Sequence, residues 1–350
     1  MNDAVGYSED RGTITGPDLD HFSSDIGDGA TPSAGMGRVY GESQSLSTAR
    51  TALAPKPSQC DVSDTRAANK RRQLERFKMR VIGICRFSYP AVGGFKRMHD
   101  TVEDREAYLY APERMELRFR HFETLTLPSI AAQKRKDFTF LVLIGESLPR
   151  PYRDRLYDLT AGIEQIKIVE SVPMRHRLAM QLAIKEELGD DKTESIQFRL
   201  DDDDAVGVNF IRSLRWFVKH SAAMRKRWRY MAIEFNHGFS VKLSDQGIMA
   251  EDVLTPFWAC GLAVLFRPGD PRTVMNFAHH KLHHSMVTMI NPTPYMYLRS
   301  KHDDNDSAAN YHPGPMHPLT DKQRAIFKAQ FNVDEDQVKA VFSAPPVHVG

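Results

Sequence analysis

The chain has 350 residues, of which 41% are hydrophobic and 26% charged, and 47 Lys+Arg against 45 Asp+Glu leave a formal net charge of +2. That balance excludes a nucleic-acid coat and a polybasic membrane anchor, while the apolar fraction suits an ordinary globular protein with a sizeable core. Three scattered cysteines (Cys60, Cys85, Cys260) supply neither a disulfide framework nor a paired zinc site, no apolar run nears a membrane span, and the first residues lack a secretory signal pattern, so a cytoplasmic protein is expected.

Residues 1–76 are dominated by Gly, Ser, Asp, Thr, Ala and Pro and are expected to form a disordered tail. Its basic end, Ala67 to Arg80, reads as a solvated face, with binding of phosphate or a lipid surface as the alternative. Order begins at MRVIGICRF (Met79 to Phe87), a buried strand that runs into a Pro/Gly loop. Met115, Phe119 and Phe122 then recur at helical spacing ahead of Pro128, and FTFLVLIG (Phe138 to Gly145) is a second buried strand. Helices at Tyr152 to Leu159 and Arg175 to Leu188 alternate with strands QIKIVES (Gln165 to Ser171) and SIQFRL (Ser195 to Leu200). Four strands with helical crossovers predict an α/β sheet.

Beyond Asp204 the pattern predicts a mixed or antiparallel half. A helix is expected from about Asn209 to Ala223, with strands RYMAIEF, FSVKL, FWACGLAVLF and PYMYLRS. A short amphipathic helix near Asp321 to Phe331 closes a domain read as 77–333, and 334–350 reads as a tail.

The sharpest chemical feature is Asp201-Asp202-Asp203-Asp204, placed after SIQFRL and before AVGVNFI, which reads as the start of a helix. Four adjacent carboxylates repel and call for compensation, and ligands of open α/β sheets gather at the carboxyl ends of strands. Extended backbone places Asp201 and Asp203 on one side, where hard oxygen donors suit Mg²⁺ or Mn²⁺ that already carries phosphate oxygens. The plainer alternative is a solvated acidic turn or a helix N-terminus. LRSKHDDNDS (Leu298 to Ser307) offers His302 as a further metal ligand and Arg299 and Lys301 as cations for phosphate. At the end of the first strand, Arg86 and Ser88 precede Gly93-Gly94, a loop through which backbone amides and Arg86 can reach a diphosphate. HHKLHH (His279 to His284) lacks the partners of a zinc motif and reads as surface, and RKRWRYM as a solvated helix end, so no nucleic-acid partner is expected.

Four segments in combination resemble a known family: RFSYPAVGGF, the stretch His121 to Pro149, FRLDDDDAV and RSKHDDNDS. Over Met79 to about Ser307 they are similar to the bacterial rhamnosyltransferases, which look like GT-A glycosyltransferases. The resemblance implies a GT-A-like, Rossmann-type mixed sheet flanked by helices. It further implies a nucleotide-sugar donor, dTDP-rhamnose, whose diphosphate is held by a divalent metal on Asp201, Asp203 and Asp204, with Asp202 at the same site. The acceptor would be a glycan or a lipid-linked sugar, with peripheral rather than spanning membrane contact. An inverting reaction needs a carboxylate base, for which Glu234, Glu251 and Asp252 are the candidates. The same aspartates would also serve a metal-dependent phosphohydrolase or nucleotidyltransferase, or an acidic-loop adaptor without catalysis.

Overall fold

A computed structural model describes residues 79–93, 99, 101–302 and 314–346, which fall in one compact unit, Cys60–Gly350. The expected N-terminal tail, Gly94, the segment Asp303 to Ser307 and the last four residues lie outside the described residues. The elements in chain order begin with β1 (Arg80–Arg86), α1 (Val102–Leu109) and α2 (Pro112–His121). A π-helical stretch (Phe122–Thr126) then leads into α3 (Leu127–Ala131). Next come β2 (Thr139–Gly145), α4 (Arg150–Thr160), β3 (Ile166–Ser171), α5 (His176–Leu188), β4 (Ser195–Arg199) and β5 (Asp204–Val206). They are followed by α6 (Phe210–His220), α7 (Ala222–Arg227), β6 (Met231–Glu234), β7 (His237–Ser244), β8 (Gly247–Leu254) and β9 (Leu262–Phe266). Two 3-10 turns, Val274–Asn276 and His279–His284, precede β10 (Val287–Ile290) and β11 (Tyr297–Ser300). The chain ends in β12 (His317–Pro318), α8 (Asp321–Ile326) with a π-helical Phe327–Phe331, and α9 (Glu335–Ser343).

The strands form a seven-stranded sheet, β10-β6-β9-β4-β1-β2-β3, and a five-stranded sheet, β12-β8-β7-β11-β5. In the first, β9 runs antiparallel to both β4 and β6 while the other neighbours are parallel, which is the mixed α/β sheet flanked by helices that the sequence predicts. The continuous Val/Ile/Leu/Phe runs of β1 and β2 are what burial on both faces requires. On one face Val81, Cys85, Phe140, Val142 and Phe198 pack against Met115 and Phe119 of α2, Leu156 of α4 and Leu214 of α6. On the other face Ile82, Ile84, Leu141 and Leu143 meet Ala179, Met180, Ala183 and Ile184 of α5. A third cluster joins Phe239 and Val241 of β7 and Leu298 of β11 to Phe327, Phe331 and Val338.

Three local expectations are corrected. AVGVNFI does not open a helix: Asp204–Val206 pairs antiparallel with β11, and α6 starts at Phe210. FWACGLAVLF becomes a strand no earlier than Leu262, since Phe257 (φ 59) and Gly261 (φ 77) both take left-handed backbone. The expected tail 334–350 contains α9, capped by the Asp334 side chain on the N–H groups of Asp336 and Gln337 and anchored by buried Val338. Among the described residues no helix is long and apolar enough to cross a membrane.

Candidate functional site

The two sheets meet at the acidic run. Beyond β4, the Leu200 N–H still reaches Ile84 O at 3.1 Å, and the chain then turns, with the Asp204 N–H donating to Asp201 O at 3.2 Å, and enters the second sheet as β5. Each aspartate thereby receives a different environment. Asp201 is exposed, whereas Asp202, Asp203 and Asp204 are buried.

Asp202 faces Arg118 of α2, which donates through Nε to Oδ2 at 3.0 Å and pairs through Nη2 with Oδ1. With both oxygens bound and 1% of the residue exposed, Asp202 is a structural anchor, which corrects its expected part in ligand binding. Arg118 Nη1 also donates to Asp203 Oδ2 at 3.1 Å, and His302 Nε2 meets that same oxygen at 2.7 Å. Burial acts to raise the Asp203 pKa, but Arg118 and His302 outweigh it and hold the carboxyl well below the usual range. Asp204 accepts the Ser300 N–H at 3.0 Å, and burial together with the charges of Asp203 and Asp201 pushes its pKa well up. Of the two neighbours, Asp203 is thus the one favoured as a carboxylate and Asp204 the one shifted toward its neutral form.

One oxygen from each of Asp201, Asp203 and Asp204 lies within 4.8 Å of the others. Three hard oxygen donors, one of them open to solvent, fit a Mg²⁺- or Mn²⁺-sized ion. His302 bonds to Asp203 and lies with its ring centroid 4.6 Å from that of His121, the two rings tilted by 42°, and burial and His302 push the His121 pKa down to about 4. Neutral His121 donates from Nδ1 to Leu117 O at 2.9 Å, and its buried Nε2 has no hydrogen-bond partner. Arg299, beside Asp204 on β11, lies with its guanidinium 4.4 Å from the Trp258 ring.

The remaining sequence candidates separate. Ser88 is buried at φ 44, and its Oγ accepts from Arg114 Nη1 at 3.1 Å. Arg86 closes β1 two residues beyond Ile84, which pairs with Arg199 of β4. Asp252, on β8 of the second sheet, has both oxygens engaged, Oδ1 by His237 Nε2 at 2.7 Å and Oδ2 by the Tyr295 hydroxyl at 2.7 Å. Glu251 Oε1 accepts the Gly314 N–H at 2.8 Å. Glu234 instead ends β6 on the sheet edge that carries the aspartates. Its Oε1 accepts the Phe257 N–H, its Oε2 is buried without a partner, and burial raises its pKa.

Sequence reading missed Arg118, although the signal was present: it occupies an apolar-face position in the series Met115, Arg118, Phe119, Phe122. It also missed Arg199 at the end of β4, where burial lowers the guanidinium pKa against the pull of Asp201. His279 was assigned to the surface, but its Nδ1 bonds to Phe257 O, and burial and Arg199 bring its pKa down to about 4.

A family profile described as "Putative rhamnosyl transferase" matches residues 80–313. Among solved structures, TarS 1–349 of S. aureus in complex with UDP-GlcNAc is 10% identical, with a TM-score of 0.38 over 67% of this chain and 62% of that one. TarS 1–349 without a named ligand gives a TM-score of 0.36 at 10% identity over 63% and 60%. The chain thus spans about three fifths of those chains. A 4-diphosphocytidyl-2C-methyl-D-erythritol synthase from Anaerococcus prevotii is 12% identical, with a TM-score of 0.26 over 61% and 86%. No match is found among curated proteins.

Proposed function

Because the chain belongs to the rhamnosyl transferase family, a family of glycosyltransferases, we propose that it moves a sugar, rhamnose, from a nucleoside diphosphate to a hydroxyl of a glycan or lipid-linked acceptor. The observation that carries this reading is the convergence of Asp201, Asp203 and Asp204 where β4 passes into β5. These three would hold a divalent cation, Mg²⁺ or Mn²⁺, and that ion would offset the charge gathering on the departing diphosphate. Arg118 and His302 keep Asp203 ionised and aimed, and Arg86 and Arg299 would supply further positive charge for the diphosphate. The acceptor oxygen attacks the anomeric carbon, the bond from that carbon to the diphosphate breaks, and the leaving group takes the electron pair.

Glu234 is the base this arrangement favours, taking the acceptor hydroxyl proton on its unpartnered Oε2. Glu251 and Asp252 are held in hydrogen bonds of the β7–β8 hairpin and fit that role less well. The proposed site of action is cytoplasmic, with peripheral contact to a membrane-borne acceptor.

The test is calorimetric titration of dTDP-rhamnose and UDP-glucose into the full-length protein with and without Mn²⁺, with Asp203→Ala as control. Metal-dependent binding that the variant loses is expected, with the rhamnose donor tighter. Metal-independent binding, or binding untouched in Asp203→Ala, would refute the assignment.

A further inference from the structure

A cleft of about 340 Å³ opens between the N-terminal half of α6 and the loop that follows β10. That is the small end of the range for small-molecule sites, roughly 300–1,000 Å³. Asn209, Arg212, Ser213 and Trp216 line it from the helix at positions i, i+3, i+4 and i+7, the spacing that brings side chains to one helix face. The core-facing side of α6 is occupied by buried Phe210, Ile211, Leu214 and Val218, so this flank is left for a ligand.

The topology keeps the cleft apart from the donor site. β5 and β11 run antiparallel, with Asp204 opposite Arg299 and Val206 opposite Tyr297, and the Gly207 N–H extends the pairing to Met296 O at 2.9 Å. Asn209 follows β5 and Pro294 precedes β11, so the cleft lies beyond the end of this ribbon opposite to Asp204 and Arg299. β10, which leads into its far wall, is the edge strand of the large sheet, three places from β4. Ile233 packs in the same apolar cluster as Phe210 and Leu214 of α6, so Glu234, the next residue, faces the other side of the sheet. No residue lining the cleft is a metal ligand or an arginine assigned to the diphosphate.

Trp216 is 55% exposed, yet its ring is held. His220, one turn further along α6, stacks on it at 4.3 Å and 28°, and donates from Nδ1 to Trp216 O at 2.8 Å. Phe217, also in the lining, meets it edge-on at 5.1 Å and 86°. A ring fixed in advance loses little freedom when a ligand lands on it. The polar groups around it are uncommitted. Asn209 occupies the N-cap position of α6, where asparagine ordinarily caps, but its side chain makes no capping bond. The Arg212 guanidinium, the Ser213 hydroxyl and the Trp216 Nε1–H have no hydrogen-bond partner among the described residues. Asn291 accepts the Thr293 N–H on Oδ1 at 3.2 Å, which leaves its NH₂ to donate, and its own N–H is anchored on Glu234 O at 2.8 Å.

This set matches a sugar ring. The C–H face of a pyranose is apolar and lies flat on an indole, while its hydroxyls need donors and acceptors at the rim, which two amides, a hydroxyl and a guanidinium supply. A nucleobase is best held between parallel rings, whereas the ring that joins Trp216 in the lining stands perpendicular to it. A strongly anionic ligand would meet a single cation, Arg212.

We infer that this cleft is a second carbohydrate site, which takes one neutral pyranose ring on Trp216 at a distance from the transfer centre. The inference goes beyond the glycosyltransferase reading and does not depend on the donor assignment.

The experiment is a ligand-observed NMR titration of the methyl glycosides of rhamnose, glucose and galactose into the full-length protein saturated with dTDP and Mn²⁺, so that the donor site is filled. At least one glycoside should bind. Trp216→Ala should weaken it about tenfold or more and Asn209→Ala about threefold, with dTDP affinity unchanged in both. Trp216→Phe keeps a smaller ring and should retain part of the affinity, which separates loss of the platform from loss of the fold. Absence of glycoside binding to wild type, or binding undiminished in Trp216→Ala, would overturn the site. Thymidine binding that depends on Trp216, with no glycoside bound, would overturn the sugar assignment. If dTDP itself does not bind wild type, the donor reading fails, and the glycosides titrated into the unloaded protein still test the cleft.

Discussion

Replacing Arg118 by leucine tests how the acidic run is held in place. The guanidinium meets Asp202 and Asp203 where 9% of the arginine side chain and 2% and 8% of the aspartate side chains are exposed. Removing one partner from a buried ion pair costs about 3–5 kcal/mol because the other charge is stranded, and here two carboxylates lose the same cation. An expected loss of about 4 kcal/mol converts, at roughly 2 °C per kcal/mol for a chain of this size, to about 8 °C in Tm.

The direction of the pH dependence is an independent check. In the wild type the folded-state pKa of Asp203 lies below its unfolded value, so its stabilising contribution is complete above about pH 4 and is lost as pH falls through the folded pKa. Without Arg118, burial at Asp203 is opposed by His302 and His121 alone, so the folded-state pKa moves up, and the variant's deficit is expected to narrow as the pH is lowered from 7. Asp204, raised by burial and by Asp203 and Asp201, contributes to both proteins and largely cancels in the difference. Urea unfolding with chelator present, at pH 7 and pH 5, measures both quantities. A variant within about 1 kcal/mol of wild type at pH 7, or one whose deficit widens on acidification, would refute the reasoning.

Glu234→Gln should lower kcat by about 10²–10⁴ while leaving nucleotide binding intact, and wild-type turnover should rise with pH through a midpoint above 4.5, since the base must be ionised and its pKa is raised by burial. Asp252→Asn should keep kcat within about threefold in the same assay, because its carboxylate is already engaged by His237 and Tyr295. Gln133→Met should cost about 2–3 kcal/mol by urea unfolding. The amide donates to Ser129 O and Gly207 O and accepts the Ile211 N–H, stitching α3 to the start of α6, and methionine leaves those buried groups unmet. Gly83→Ala should lose about 1–3 kcal/mol in the same measurement, since a Cβ would stand 2.3 Å from Phe198 Cζ and 2.6 Å from Phe140 Cδ2.

β1 and β2 were legible because burial on both faces makes each an unbroken apolar run, while β3, at the sheet edge, was legible from the alternation of apolar and charged residues in IKIVES. β8 was not, because GIMAEDVL forms a hairpin with β7 and keeps Glu251 and Asp252 toward solvent, which breaks the apolar signal. β5 escaped because its three residues include an aspartate whose burial depends on a backbone N–H from β11. At the site, the aspartates declared themselves by their number, but their division of labour did not. Asp202 serves the arginine of a distant helix, and nothing adjacent in the chain says so. Asp252 looked like a base because an acidic pair stands out in sequence, whereas the bonds that occupy it come from residues 15 and 43 positions away.

The acidic run is also a spacer of fixed length. A chain with three aspartates in place of four would look nearly the same in composition, yet the joint between the two sheets would be one residue short. Either the turn from the Asp204 N–H to Asp201 O is lost, or β5 slips one step along β11. A one-step slip reverses the side to which every β5 side chain points, turning the carboxylate now seated on Ser300 N–H away from it and Ala205 out of its apolar cluster. The fold can accept exchange of the exposed first member of the run more readily than any change in its count.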